Sequence, residues 1–195
     1  MSPDKVRKKR QRGSSLTAQP PPRAANRIFY AVAEGAVTEY DYLTMLQNAF
    51  SRQCSFRIDM PKYRSDDMKP WKVAQRALTV GALSHPSFDF WLYLHYGLYD
   101  QPQDGRNHQV HQLLSQRPGF AGFGARDKRI TKARADHLMP RLKTAFDNAR
   151  SLDRRCASGR CSHPRGSEPR CGLLAQDPSS GMWRLLESLG IPPFL

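Results

Sequence analysis

The feature that most constrains this chain is the stretch Arg27-Ile28-Phe29-Tyr30-Ala31-Val32-Ala33-Glu34-Gly35-Ala36-Val37-Thr38-Glu39-Tyr40-Asp41-Tyr42-Leu43. Ile28 to Ala33 is an almost unbroken apolar run, long enough for a buried strand and too short for a helix of its own. It ends at Glu34-Gly35, where glycine permits a sharp change of backbone direction. Thr38 is then a candidate helix cap, with Asp41 three residues on as an acidic variant of the capping box. Tyr42, Leu46, Ala49 and Phe50 follow at helical spacing. The unit reads strand, acidic turn, helix. In an open α/β sheet, ligands gather at the carboxyl ends of strands, which puts Glu34 in a functional place. The alternative is a carboxylate that only solvates a turn.

The same alternation of element types continues. Phe56, Ile58 and Met60 point one way and Ser55, Arg57 and Asp59 the other, a strand signal. Pro61 to Lys69 is a polar loop, and Pro70 suits the first position of a helix running to about Leu78. This β-α-β-α order predicts an α/β fold: a small, partly parallel sheet with flanking helices. Phe88, Trp91, Leu92, His95 and Tyr96 share one face of a further helix, with Asp89 near its positive end. His95 is either a proton-transfer group or phosphate contact, or a packed histidine bonded to backbone. Gly97 to Arg129 carries little pattern. His108 and His111 stand three apart, and a metal pair is not expected there without acidic or cysteine company. Phe120 to Gly124 reads as an aromatic loop leading to Arg126, Lys128 and Arg129. Ile130 to Leu152 is the longest helical pattern, which Pro140 should kink or divide. Lys132, Arg134, Arg141, Lys143 and Arg150 make its opposite face basic, fit for a nucleic-acid backbone or simply for water. Pro178 to Leu189 closes the chain as a short helix ended by Gly190.

Charge bounds the partners. The 195 residues suit one domain, and the net charge of +14 favours a polyanion such as nucleic acid. Half of that charge lies in residues 1–27, where eight basic side chains face Asp4 alone. With Gly13-Ser14-Ser15 and Pro20-Pro21-Pro22 in the same segment, residues 1–26 read as a disordered basic arm before a domain spanning 27–195. Lys8, Lys9, Arg10 and Arg12 are its candidate phosphate contacts. No run is long enough to cross a membrane and no secretory signal is visible, so a cytoplasmic protein with free thiols is expected. Cys156, Cys161, His163 and Cys171 have the spacing C-x₄-C-x-H-x₇-C, which is not a standard finger, and zinc is not expected there.

Three stretches carry a resemblance. Val32-Ala33-Glu34-Gly35 with Thr38-Glu39 and Tyr42 resembles the opening motif of RloB-like proteins, close to V-x-E-G-x-x-T-E-x-x-Y. Ser84-His85-Pro86-Ser87-Phe88-Asp89-Phe90-Trp91-Leu92-Tyr93-Leu94-His95-Tyr96 is similar to that family's S-N-P-x-F-E-L-W-L-L-L-H-F. Asp177-Pro178-Ser179-Ser180 resembles its N-P-S-T. RloB-like proteins are similar to Toprim-type metal-dependent nucleases of bacterial anti-phage loci, often beside an AAA- or ABC-type ATPase partner. The resemblance implies an abortive-infection role, Glu34 as ligand to Mg²⁺, and Glu39, Asp89 and His95 as further catalytic candidates. Lys128, near where the family tends to keep a lysine, is a candidate phosphate contact or else a solvated charge.

One part of the pattern is missing. The family's acidic D-x-D turn should fall between Leu78 and His85, where this chain has only Thr79-Val80-Gly81-Ala82-Leu83-Ser84. A Mg²⁺ site for phosphodiester cleavage needs oxygen ligands from more than one element. Glu34 alone is one wall of such a site. Asp89 also stands where the family has glutamate, a shorter reach. The expectation is a Toprim-like but incomplete sheet and impaired metal-dependent nuclease activity. The alternatives are a non-catalytic binder of nucleic acid or of an ATPase, or a decayed relative.

Overall fold

The computed structural model describes residues 27–31, 37–60, 82, 84–101, 106–124, 126–157 and 177–191. The basic arm, the Glu34-Gly35 turn, the helix expected after Pro70 and the cluster of Cys161, His163 and Cys171 lie outside them.

Strand β1, Arg27–Tyr30, leads to α1, Thr38–Cys54, and back to β2, Phe56–Asp59, which pairs with β1 in parallel from Arg27 opposite Phe56 to Tyr30 opposite Asp59. This is the expected strand–helix–strand unit. In β2 the predicted alternation holds, with Phe56 and Ile58 buried and Arg57 exposed between them. In β1 the expectation of a fully buried strand fails. Ile28 is 55% exposed, because it shares with exposed Arg57, its register partner, the face of the pair turned away from buried Phe56 and Ile58. Along α1, Tyr42, Leu43 and Leu46 form the buried stripe, whereas Ala49 is exposed.

The chain then builds a helical layer. Ser84–His85 is β3, followed by α2, Phe88–Leu94, and α3, His108–Ser115. The long pattern is divided at Pro140 as predicted: α4 is Lys132–Leu138, a 3₁₀ turn covers Met139–Arg141, and α5 is Leu142–Ala157. Ser179–Ser180 forms β4, antiparallel to β3, and α6 is Met182–Leu189. That ladder brings the second and third motif-like stretches side by side, with the Ser84 and Ser180 hydroxyls 2.8 Å apart.

The core is centred on α2. Every residue from Asp89 to Leu94 is buried, so α2 is enclosed on all sides rather than on the single face expected, packed on α3, α5 and the β3–β4 ladder. Asn148 of α5 donates to the Leu94 carbonyl at 2.9 Å, satisfying one of the orphan acceptors at the end of α2. No helix among the described residues is long and apolar enough to cross a membrane.

Arg27 fastens the two ends of the described chain together. Its guanidinium donates to the Ser188 and Leu189 carbonyls at 3.1 and 2.9 Å and to the Cys54 carbonyl at 3.4 Å. These are the last turns of α6 and α1, where acceptors lack partners and a cation is favoured by the dipole. Gly190 makes room for it. At φ +72°, a Cβ on Gly190 would lie 2.8 Å from Arg27 Nη2. Gly190→Ala therefore combines left-handed backbone strain with eviction of the guanidinium, and should cost about 1–3 kcal/mol. Urea denaturation of the two proteins measures it, and an unchanged midpoint would show that the clamp contributes nothing.

Candidate functional site

Asp89 gathers the chemistry. Ser87 caps α2, its hydroxyl accepting from the Asp89 N–H at 3.2 Å, so the Asp89 side chain is free of its own helix end. The carboxylate reaches toward α3 and the segment before α4. Its Oδ2 accepts from Asn107 Nδ2 at 2.9 Å, lies 2.5 Å from His111 Nε2 and faces Lys128 Nζ at 3.4 Å. The Asp89 side chain is only 4% exposed, against 30% for His111 and 41% for Lys128. Water therefore meets His111 and Lys128 at the rim of this cluster and not the carboxylate.

The hydrogen bonds assign the protons. A carboxylate oxygen only accepts, so His111 Nε2 carries a hydrogen, and the neutral tautomer that keeps this bond has its lone pair on Nδ1. Asn107 Nδ2 lies 2.8 Å from the same Nε2, and both N–H groups turn to the shared Asp89 oxygen. Nδ1 has no hydrogen-bond partner among the described residues, and the His111 side chain as a whole is 30% exposed. Phe123 meets the ring edge-to-face at 6.3 Å and fixes its tilt. Asn107 Oδ1 is buried beside the pair without a donor.

Two further groups hold Lys128 in place. Thr38 Oγ1 donates to the Lys128 carbonyl at 2.9 Å, and Asp41 Oδ2 accepts from the Ile130 N–H at 2.9 Å and pairs with Arg129 Nε at 3.0 Å. This corrects the capping-box expectation. Val37 occupies the cap position, and Thr38 and Asp41 spend their oxygens on a segment about ninety residues away instead of on α1 itself. From the other side, buried Arg134 donates to the Gly119 and Arg129 carbonyls at 3.0 and 2.6 Å and to Asp127 Oδ2 at 2.8 Å. It also lies over the Phe120 and Phe123 rings. Arg134 is thus a structural pin, not part of an open basic face, and its guanidinium holds the Asp127 carboxyl below the ordinary carboxylate range.

The residues named from sequence fall in different places. Glu34, Lys8, Lys9, Arg10 and Arg12 lie outside the described residues. Glu39 is half-buried in the first turn of α1. His95 lies six residues beyond Asp89, about 9 Å along the helix axis, at the far end of α2. It is 1% exposed. Its Nδ1 donates to the Trp91 carbonyl at 3.1 Å, and its Nε2 accepts from the Tyr42 hydroxyl at 3.1 Å. Both nitrogens are spent inside the protein, the arrangement of a packed core histidine. Burial pushes the His95 imidazolium down to about 4, Arg141 adding in the same direction against the bond to the Trp91 carbonyl. Burial raises the Tyr42 phenol. His111, which meets the Asp89 carboxylate, is the member of this cluster that sequence reasoning passed over. Its signal was the helix Asn107-x-x-Val110-His111-x-x-Leu114, whose buried Val110 and Leu114 set which side His111 takes.

The Mg²⁺ implied by the resemblance does not fit what surrounds Asp89. No group of three or more His, Cys, Asp or Glu side chains converges among the described residues. Asp89 Oδ2 is already encircled by an amide, an imidazole N–H and an ammonium, and a divalent ion placed there would meet Lys128 directly. Compared with known proteins, the chain matches no family model, no curated protein and no solved structure.

His95 generates a prediction. It is neutral in the fold and binds a proton on unfolding once the pH falls below its ordinary value of 6.5, so its contribution is complete above that value and lost toward about 4. The loss should approach about 3 kcal/mol, since each pH unit between the two values is worth about 1.4 kcal/mol. Urea melts of the protein and of His95→Gln at about pH 7 and about pH 5 test this. The variant should lose less stability on acidification than the parent; parallel losses would place the linkage elsewhere.

Proposed function

We propose that this chain is an RloB-like, Toprim-related protein of bacterial phage defence that binds nucleic acid and in which metal-dependent cleavage is impaired. The observation that carries the reading is the cluster built on the second motif-like stretch. Asp89, at the motif's acidic position, is buried while Lys128 and His111 around it reach solvent. Such a cluster offers a phosphate an ammonium held in place from behind. The formal charge of +14 adds the long-range attraction. The adjacency of the Ser84 and Ser180 stretches also supports the resemblance, since two motif matches far apart in sequence meet in space. Impaired metal chemistry is supported by the donors crowding Asp89 and by the absence of a D-x-D from the sequence.

Fluorescence anisotropy with labelled DNA and RNA oligonucleotides tests this. Binding should weaken steeply with salt, and Lys128→Ala should lower the slope of log K against log salt by about one. Mg²⁺ should bring little DNA cleavage over a chelator control. Binding that ignores salt would overturn the proposal, and vigorous Mg²⁺-dependent cleavage lost in Glu34→Ala would overturn its impaired-catalysis half.

A further inference from the structure

We infer that His111, oriented by Asp89, is a metal-independent general base that cleaves RNA using the RNA's own 2′-hydroxyl as nucleophile. The inference rests on the nucleic-acid reading above and goes beyond it in naming a reaction, a catalytic residue and a substrate class.

The geometry is that of an acid–base dyad. Asp89 Oδ2 at 2.5 Å fixes the proton on His111 Nε2, so the lone pair sits on Nδ1. The carboxylate is buried and therefore stabilises an imidazolium strongly, while the ring it orients is part-exposed and accessible to a substrate. Phe123 on the ring and Asn107 on the carboxylate remove the remaining freedom. Preorganisation of this kind is what a general base requires. It contrasts with His95, whose two nitrogens are both consumed in the core.

The substrate class follows from what stands beside the dyad. Lys128 Nζ, 3.4 Å from the same carboxylate oxygen, supplies a cation for a phosphate oxygen. No serine, threonine or cysteine among the described residues bonds to His111, so the nucleophile is water or a hydroxyl of the substrate, and a hydroxyl already beside the phosphorus needs no further site to hold it. RNA carries one next to every phosphate; DNA does not. The step balances without a cofactor. His111 Nδ1 takes the 2′-hydroxyl proton, the 2′-oxygen attacks phosphorus, and Lys128 stabilises the equatorial charge. The P–O5′ bond breaks, the departing 5′-oxygen takes a proton from water, and His111 returns its proton to the hydroxide so formed. The products are a 2′,3′-cyclic phosphate and a 5′-hydroxyl.

The test incubates the full chain with labelled single-stranded RNA in excess chelator, with binding measured on the same samples. Cleavage should proceed, yield cyclic phosphate ends by mass spectrometry, and stop when 2′-deoxynucleotides replace the ribose. His111→Ala should lose about 10²–10⁴-fold in rate and recover in part with added imidazole. Asp89→Glu, which keeps the carboxylate, should retain more activity than Asp89→Asn, and Lys128→Gln should lose rate with folding intact by circular dichroism. The 2′-deoxy control reads the mechanism even where a variant fails to fold. RNA that is bound but not cleaved would overturn this inference and leave the binding proposal standing. RNA neither bound nor cleaved would overturn this inference, and would overturn the binding proposal too where DNA is also not bound; cleavage undiminished in a folded His111→Ala would overturn the assignment of the base.

Discussion

The Asp89 carboxylate is 4% exposed, and a charge that far from water is tolerated only when donors surround it. Its donors come from two other segments: Asn107 and His111 at the start of α3, and Lys128 before α4. One buried oxygen therefore draws together parts of the chain 18 to 39 residues away. Buried Val110 and Leu114 already turn one side of α3 inward, and the carboxylate adds a polar contact that fixes how α3 sits along α2. The carboxylate supplies that register. It also explains how a helix buried all round can hold a charged residue in its first turn.

Arg134 performs the complementary task. The segment 119–130 has little regular structure, so its backbone acceptors need partners from outside. A guanidinium with five donors in a planar fork meets two carbonyls and a carboxylate at once, and its flat face covers Phe120 and Phe123. Phe123 in turn abuts His111. The chain of contacts runs from α4 through an aromatic loop to the imidazole, while Thr38 and Asp41 hold the same loop from α1. A lysine at 134 would keep the charge and lose this arrangement.

These relations mark where sequence reading stops. Local pattern sufficed for α1, for the alternation of β2, for the break at Pro140 and for the closing helix with Met182, Leu186 and Leu189 inward. Each rests on periodicity within one element. The exposure of Ile28 was not legible, because an apolar run does not reveal which of its two faces will be covered. Nor was the burial of Arg134, since a cation at a helical spacing looks the same whether it meets water or a loop. Thr38 and Asp41 fitted a capping box by spacing, yet their oxygens went to a distant segment that no local rule names. At the site, Asp89 and Lys128 were singled out through the resemblance. His111 required knowing that α3 would dock against the start of α2, a tertiary fact. His95 shows the reverse case: its place in the motif suggested chemistry, and the core absorbed it.

A carboxylate at the head of α2 can serve a metal ion or an imidazole, and its neighbours decide which. Shared with other carboxylates, it attracts a cation, because mutual repulsion is relieved by the ion. Ringed by N–H donors and an ammonium, it has no unmet demand for positive charge, and a divalent ion would lose its hydration for a site that repels it. This chain contains no D-x-D to supply companion carboxylates, and the described surroundings of Asp89 supply Lys128 and His111 instead. The two facts are electrostatically one. A lone buried carboxylate must find compensation in side chains when it does not find it in a metal, and compensation by histidine occupies only one of the two ring nitrogens.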